Sequence, residues 1–422
     1  MLRVRPRGQI AARRPWRDRL DSRVACREGI RTRQQGGNAL GTRRLAHRSF
    51  RGAVAAVLLL AVTGMTGCGG SGGGGHVTPW TVPIDGSRPT DPVLGDGAVY
   101  VAYELDGHQG RVIAMEADSG KVRWSASVPG VGSGTKPVLA GRTLVVNNTD
   151  AVYALNTATG EVRWKYEAGV YGGIGQPGVI GQTVVFGTAP GGLQAVDLAT
   201  GKDKGTFGKG DSYDFPPIGH DGLIIAVGAE STGVVAFDAT SFQERWRSKV
   251  DSEPQLPPSV MQDVLYVNTG SSGVYALDAR TGSEKWHAKL HAESKEQPLV
   301  GNGSVFIGGG QSDKLYALDT VSGMVRWKVD VTGFAHDAAE IIAAGAGDTV
   351  YAGNGSRTLL VIDPDHGTVK GRIALSGEPV SGLAAAGNAV YVVLRPPTGT
   401  FQLTAIDGHA PATSQHPTNG AG

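Results

Sequence analysis

Apolar and polar positions along most of the chain repeat one short phrase. An alternating run leads into a small polar turn, and a second alternating run then ends in Trp. The phrase reads "YALNTATGEVRW" over 153–164, "YALDARTGSEKW" over 275–286 and "YALDTVSGMVRW" over 316–327. Apolar residues at every second position mark a half-buried strand. Between the two runs, Asp-x-x-Ser/Thr-Gly is hairpin chemistry: the carboxylate bonds its own backbone two residues on, and Gly takes the φ > 0 position. Aligned on the Asp position, the phrase returns at Glu116, Asn156, Asp197, Asp238, Asp278, Asp319, Asp363 and Asp407, at spacings of 40, 41, 41, 40, 41, 44 and 44 residues. The chain is one supersecondary unit used eight times.

Each unit divides into four strands, A to D. In the sixth, "PLVGNG" supplies A, "SVFIGG" B, "KLYALD" C and "MVRWKVDV" D. Four-stranded units of this length are the blades of a β-propeller. The predicted fold is therefore all-β, an eight-bladed β-propeller of four-stranded antiparallel blades. The eighth unit breaks off after its strand C at "LTAID", while Trp80 stands twelve residues before Pro92, much as Trp124 stands thirteen before Pro137. This spacing puts the N-terminal strand in place of the missing strand D, so that it completes the last blade. The 65 Gly residues then read as periodic turns instead of low complexity.

The unit resembles the quinoprotein-type (PQQ-like) propeller repeat, roughly Ala-x-Asp-x-x-Thr-Gly-x-x-x-Trp, over residues 77–407. The resemblance implies eight blades, with Trp80, Trp124, Trp164, Trp246, Trp286 and Trp327 docked between neighbours. Gly205 and Gly371 replace the Trp, so two seams are expected to be looser or filled differently. Phe242 replaces the turn Gly, which leaves that hairpin's geometry open.

Charge divides the chain. Residues 1–67 hold 15 Arg, no Lys and three acids, a net +12, against −10 for the remainder. An acidic domain argues against nucleic acid, which requires a basic surface. The basic segment leads into ten apolar residues, 53–62, too few to span a bilayer but suited to a secretory signal. "MTGC" (65–68) resembles the lipobox of bacterial lipoproteins, which implies lipidation of Cys68. "GGSGGGG" (69–75) reads as a tether. The expected organisation is a basic extension and signal over 1–67, with 1–42 lying ahead of a true start near Leu45. A lipidated Cys and tether over 68–76, the propeller over 77–407 and a tail over 408–422 complete it. The only other cysteine, Cys26, lies in the part removed, so the mature chain has no internal disulfide and no Cys-based zinc site.

Three functions fit such a ring. The family resemblance implies pyrroloquinoline-quinone (PQQ) dehydrogenases, many with a vicinal Cys-Cys, a Ca²⁺ site and an Asp base. This chain has no Cys-Cys and no matching Glu, Asn and Asp set, so neither cofactor, metal nor catalytic residue is expected. The BamB-like envelope lipoproteins are similar in signal, tether and single domain, which implies a non-catalytic scaffold for envelope proteins, lipid-anchored and extracytoplasmic. The third reading is a sensor propeller whose loops take a small molecule or glycan. In a four-stranded blade the B–C and D–A connections emerge on one face. D–A connections 207–217, 251–258, 291–298 and 331–340 bring Asp211, Tyr213, Asp214, Phe215, Asp251, Glu253, His291, Phe334, His336 and Asp337 to that rim, with Glu293 and Glu296 beside them. The face is expected to be acidic with scattered aromatics, a docking surface for a protein or ligand. His287 and His291 share helical i, i+4 spacing but leave a strand, so no metal site is expected there. "GGGQSD" (308–313) and "GVYGGIGQPG" (169–178) lack the Lys-Ser/Thr or helix start of a phosphate loop and read as inter-strand loops.

Overall fold

A computed structural model describes residues 78–408, except for 107–108, 133–135, 170–172, 190, 214, 229–232, 252–253, 255, 270–272, 291–296, 310–313, 332–341, 347–348 and 354–356. The described residues form eight antiparallel sheets, seven of four strands and one of five. Seven sheets follow chain order, as in blade 1 with strands A Val93–Gly95, B Ala98–Leu105, C Gln109–Glu116 and D Val122–Ser127. The eighth joins the chain ends. The N-terminal strand Trp80–Ile84 lies antiparallel to Phe401–Asp407, pairing Trp80 with Ala405 and Ile84 with Phe401. The eight-bladed propeller closed by its N-terminal strand is thus present as expected.

The core is not one mass but eight clusters, one at each seam between adjacent blades. One joins Tyr100 and Trp124 of blade 1 to Leu144 and Tyr153 of blade 2, and another joins blade 8 back to blade 1 through Tyr391 and Val101. Strands B and C therefore bury both faces, each against a different neighbour. Strand C of blade 2, Ala151–Asn156, is buried at its first five positions. Sequence alternation there implied one buried face; stacking of sheets on both sides overrides it. The outermost strands D expose one side, as in Val162–Glu167, where Trp164 turns inward between exposed neighbours.

The repeated turn locks strand C to strand D in one way in blades 2 to 7, whereas in blade 1 the Glu116 carboxylate bonds Arg123 instead. Asp278 Oδ1 accepts from the backbone N–H of Arg280 and of Thr281, both at 3.1 Å, and Gly282 N–H donates to Asp278 O at 2.8 Å. Gly282 sits at φ 73°. A side chain there would also collide with Trp246 of the preceding blade, its Cβ falling 2.4 Å from the indole ring. Each Trp lies over the turn Gly of the next blade: Trp80 on Gly120, Trp124 on Gly160, Trp164 on Gly201, Trp286 on Gly323 and Trp327 on Gly367. Except at Trp246, whose buried indole N–H meets no acceptor among the described residues, the indole N–H then caps a carbonyl of that turn, as from Trp124 to Thr157 O at 2.7 Å and from Trp286 to Thr320 O at 3.0 Å.

Both departures from the repeat fall where this lock has to change. Gly205, which lacks the Trp in blade 3, faces Phe242, which lacks the Gly in blade 4. Phe242 keeps the turn, with φ 59° and its N–H on Asp238 O at 2.9 Å. Its ring stacks on Phe207 at 4.7 Å between centroids and 5° between planes. One aromatic ring is thus supplied from the opposite side of the seam. Gly371 lacks the Trp in blade 7, and its neighbour, blade 8, has no C–D hairpin because the chain ends meet there. There is no turn Gly for a Trp to cover, and Val361 faces Gly371 where the intact units pair Ala with Trp.

Candidate docking face and central channel

Strand order fixes which loops meet. Strand A begins, strand B ends, strand C begins and strand D ends on one face, so the D–A and B–C connections gather there around the channel mouth. The D–A connection of blade 3 brings Asp211 against strand D of blade 4. Asp211 Oδ2 accepts from Arg247 Nη2 at 2.8 Å and from Tyr213 Oη at 3.1 Å, and Arg247 also binds Glu244 through Nε at 3.2 Å and Nη2 at 2.8 Å. Both carboxylates hold the guanidinium proton more tightly, which raises the Arg247 pKa, with the Glu244 hydrogen bond the larger cause.

Tyr213 is not on the rim. Its ring is 2% exposed, within the cluster between blades 3 and 4, where it meets Phe237 edge-on at 6.4 Å. Burial pushes its phenol pKa up, with Asp211 adding to the effect. A tyrosine in a polar loop reads as exposed in sequence, but this loop folds back over an open seam and the ring fills it. Phe215 is half-buried and Asp251 is exposed. The Asp251 N–H donates to Tyr275 Oη of the next blade at 3.2 Å, and Tyr275 stacks on His287 at 3.8 Å between centroids. Structure thus brings Asp211 and Tyr213 together with Arg247 and keeps Asp251 apart on blade 4. Asp214, Glu253, His291, Phe334, His336 and Asp337, like Cys68, lie outside the described residues.

Sequence reasoning passed over the basic partners. Arg247 follows Trp246 as Lys165 follows Trp164, and this position points outward from strand D. Lys165 pairs with Glu167 at 2.6 Å and lies 5.7 Å over the Tyr153 ring, in a groove of about 520 Å³ that Asn148 and Asp150 also line. The described part of the face is therefore mixed in charge, with its acids partly matched by strand-D cations. A cation directly after the Trp was the signal that could have been read.

At the channel mouth, the residue preceding the Pro that leads into strand A reaches across to neighbouring blades. Asp91 accepts from Gly382 N–H of blade 8 at 2.6 Å and pairs with Lys136 of blade 2 at 3.6 Å. Gln176 donates to Lys136 O at 3.2 Å, Gln297 donates to Pro258 O at 2.9 Å, and Ser259 donates to Pro298 O. Asp91, Lys136, Ser259 and Gln297 border a cavity of about 460 Å³ whose walls are polar and apolar in nearly equal measure, with Met261 and Leu383 on the apolar side. PQQ is a tricarboxylate whose quinone oxygens chelate a metal. The described lining offers one cation, Lys136, already paired with Asp91. Among the described residues no three His, Cys, Asp or Glu side chains come together as a metal would require. The described channel does not fit PQQ with its metal.

An eight-bladed ring of Trp-docked blades defines a PQQ-like propeller. The family described as outer membrane protein assembly factor BamB matches residues 72–206 and 230–395, and the chain belongs to that family. Among solved structures it is similar to BamB from Moraxella catarrhalis, with TM-score 0.62 and 16% identity over 79% of this chain and 98% of that one. A computationally designed protein, Ika8, matches with TM-score 0.61 and 16% identity over 77% and 98% of the two chains. The quinohemoprotein alcohol dehydrogenase of Comamonas testosteroni matches with TM-score 0.59 and 15% identity over 82% and 78%. A search among functionally curated proteins found no match. At these identities the structures share the fold alone, and one fold here spans an assembly factor, an oxidoreductase and a designed chain.

Proposed function

We propose that this protein is a non-catalytic scaffold of the cell envelope, lipid-anchored through Cys68, that docks partner proteins on its D–A loop face. The family match across most of the ring carries the reading. Two features support it. The described channel mouth is edged by hydrogen bonds between neighbouring blades. The loop face combines exposed Asp251 with half-buried Phe215 and salt-bridged clusters, the mixture of apolar anchor and polar rim that interfaces use. The experiment is affinity capture of the full chain from solubilised membranes, beside a variant carrying Asp214→Lys, Asp251→Lys and Glu253→Lys. Scaffolding predicts reproducible partners that the variant loses while its circular dichroism stays unchanged. An identical set of captured proteins from both forms would remove the loop face from the account. The cavity at the channel mouth, with its mixed polar and apolar walls, supports a second reading, a small molecule or glycan held there, which equilibrium dialysis against a panel of oligosaccharides and envelope extracts would detect.

A further inference from the structure

The apolar side chains most exposed on the described surface belong to a single turn. Val321 is 84% and Met324 72% exposed, with Val325 beside them at 46%. They form the C–D hairpin of blade 6, between strands Lys314–Asp319 and Val325–Asp330. The same six-residue window after the Asp position carries a charge in every other C–D hairpin: Asp118, Glu161, Lys202, Glu244, Arg280 and Asp365 in blades 1, 2, 3, 4, 5 and 7. Blade 6 alone offers Thr, Val, Ser, Gly, Met and Val. Its backbone is the ordinary turn, with Ser322 N–H on Asp319 Oδ1 at 2.8 Å, so the fold does not require the apolar residues.

Topology says what meets this turn. A C–D hairpin lies on the face where strand D begins, opposite the D–A loops. Trp80–Ile84 is strand D of blade 8, so Trp80 begins on that same face and the chain ahead of it leaves from there. Cys68 lies twelve residues upstream, within about 40 Å even when fully extended. To set the D–A face on a bilayer, those residues would first have to run back along the outer edge of blade 8, a strand of roughly 17 Å plus its loops. A lipid on Cys68 therefore favours the hairpin face toward the membrane.

We infer that the blade 6 hairpin is a lipid-surface contact: Val321 and Met324 enter the headgroup region, and the D–A loops face away into the aqueous space. The inference rests on the lipidation of Cys68 proposed above. A turn with two projecting apolar side chains suits shallow interfacial insertion, whose strength scales with the apolar area buried at the headgroup boundary.

The test uses full-length protein extracted from membranes, with the mass of its N-terminal peptide reporting the lipid on Cys68, reconstituted into phosphatidylcholine and phosphatidylglycerol vesicles containing brominated acyl chains. Bimane is attached at Ser322→Cys in the hairpin or at Lys209→Cys on the opposite face. The expected result is at least threefold greater bromine quenching at 322 than at 209, abolished when Val321→Asp and Met324→Asp are added. Equal quenching at the two positions in protein whose Cys68 carries lipid would overturn the contact and leave the anchor standing. Absence of the lipid would overturn the anchor, and the contact with it.

Discussion

At the scale of the residue, the seam between blades is one indole laid over one glycine. Trp286 is 8% exposed, lies over Gly323 and donates to Thr320 O. Trp286→Ala is expected to cost about 3–5 kcal/mol, the usual range for a buried large aromatic, read as a lower urea midpoint. A shift in melting temperature under a degree or two would contradict the packing. Phe242 sets two effects against each other. Its left-handed backbone costs about 1–2 kcal/mol that Gly would avoid, whereas its half-buried ring stacks on Phe207, and losing it costs less than the about 3–5 kcal/mol of a fully buried Phe. Phe242→Gly should therefore destabilise by roughly 1 kcal/mol. If it stabilises instead, the ring is not what closes that seam.

At the scale of the element, the turn carboxylates share one bonding pattern and one titration. Asp363 is held down to about 2 by the Asp365 N–H first and then by Lys370. Asp319 is lowered by the Ser322 N–H, Asp278 by Lys285, Asp238 by the Ser241 N–H and Asp197 by the Thr200 hydroxyl. A carboxylate with a depressed folded pKa contributes stability above its unfolded value and loses it as pH falls through the folded one. The contributions should disappear together from about pH 4 toward pH 2. A urea midpoint that falls steeply in this window, and falls less when Asp363→Asn is introduced, is the expected outcome; a midpoint flat across it would contradict the shared turn. These hairpins were legible in the sequence because Asp, Gly and Trp are each demanded by local geometry at fixed offsets. The burial of strands B and C on both faces was not, since alternation describes one sheet and cannot register the sheet stacked on its far side. Tyr213 escaped for a similar reason: no local pattern says that a polar loop will fold back into a seam.

At the scale of the whole molecule, the ring is held by one pairing between residues more than three hundred positions apart. Thr81 stands opposite Thr404, their hydroxyls 3.3 Å apart. Thr81→Cys with Thr404→Cys, once oxidised, is expected to add about 3–5 kcal/mol through the long loop it closes, reversed by reductant. Oxidation without any gain would mean that closure does not limit stability. Closure was readable from two Trp-to-Pro spacings. The docking face was readable only as a topological address, because which loop acids are matched depends on cations such as Arg247 that arrive from the next blade. Asp251 on the D–A loops and Ser322 on the hairpin turns mark the two faces of the ring.

The most direct test of the scaffold reading is photo-crosslinking in intact cells from a benzophenone amino acid placed at position 251 or at position 322. The account predicts discrete protein adducts from 251 and none from 322, whose surroundings are lipid. Protein adducts from 322 with none from 251 would place the partner on the wrong face and contradict it.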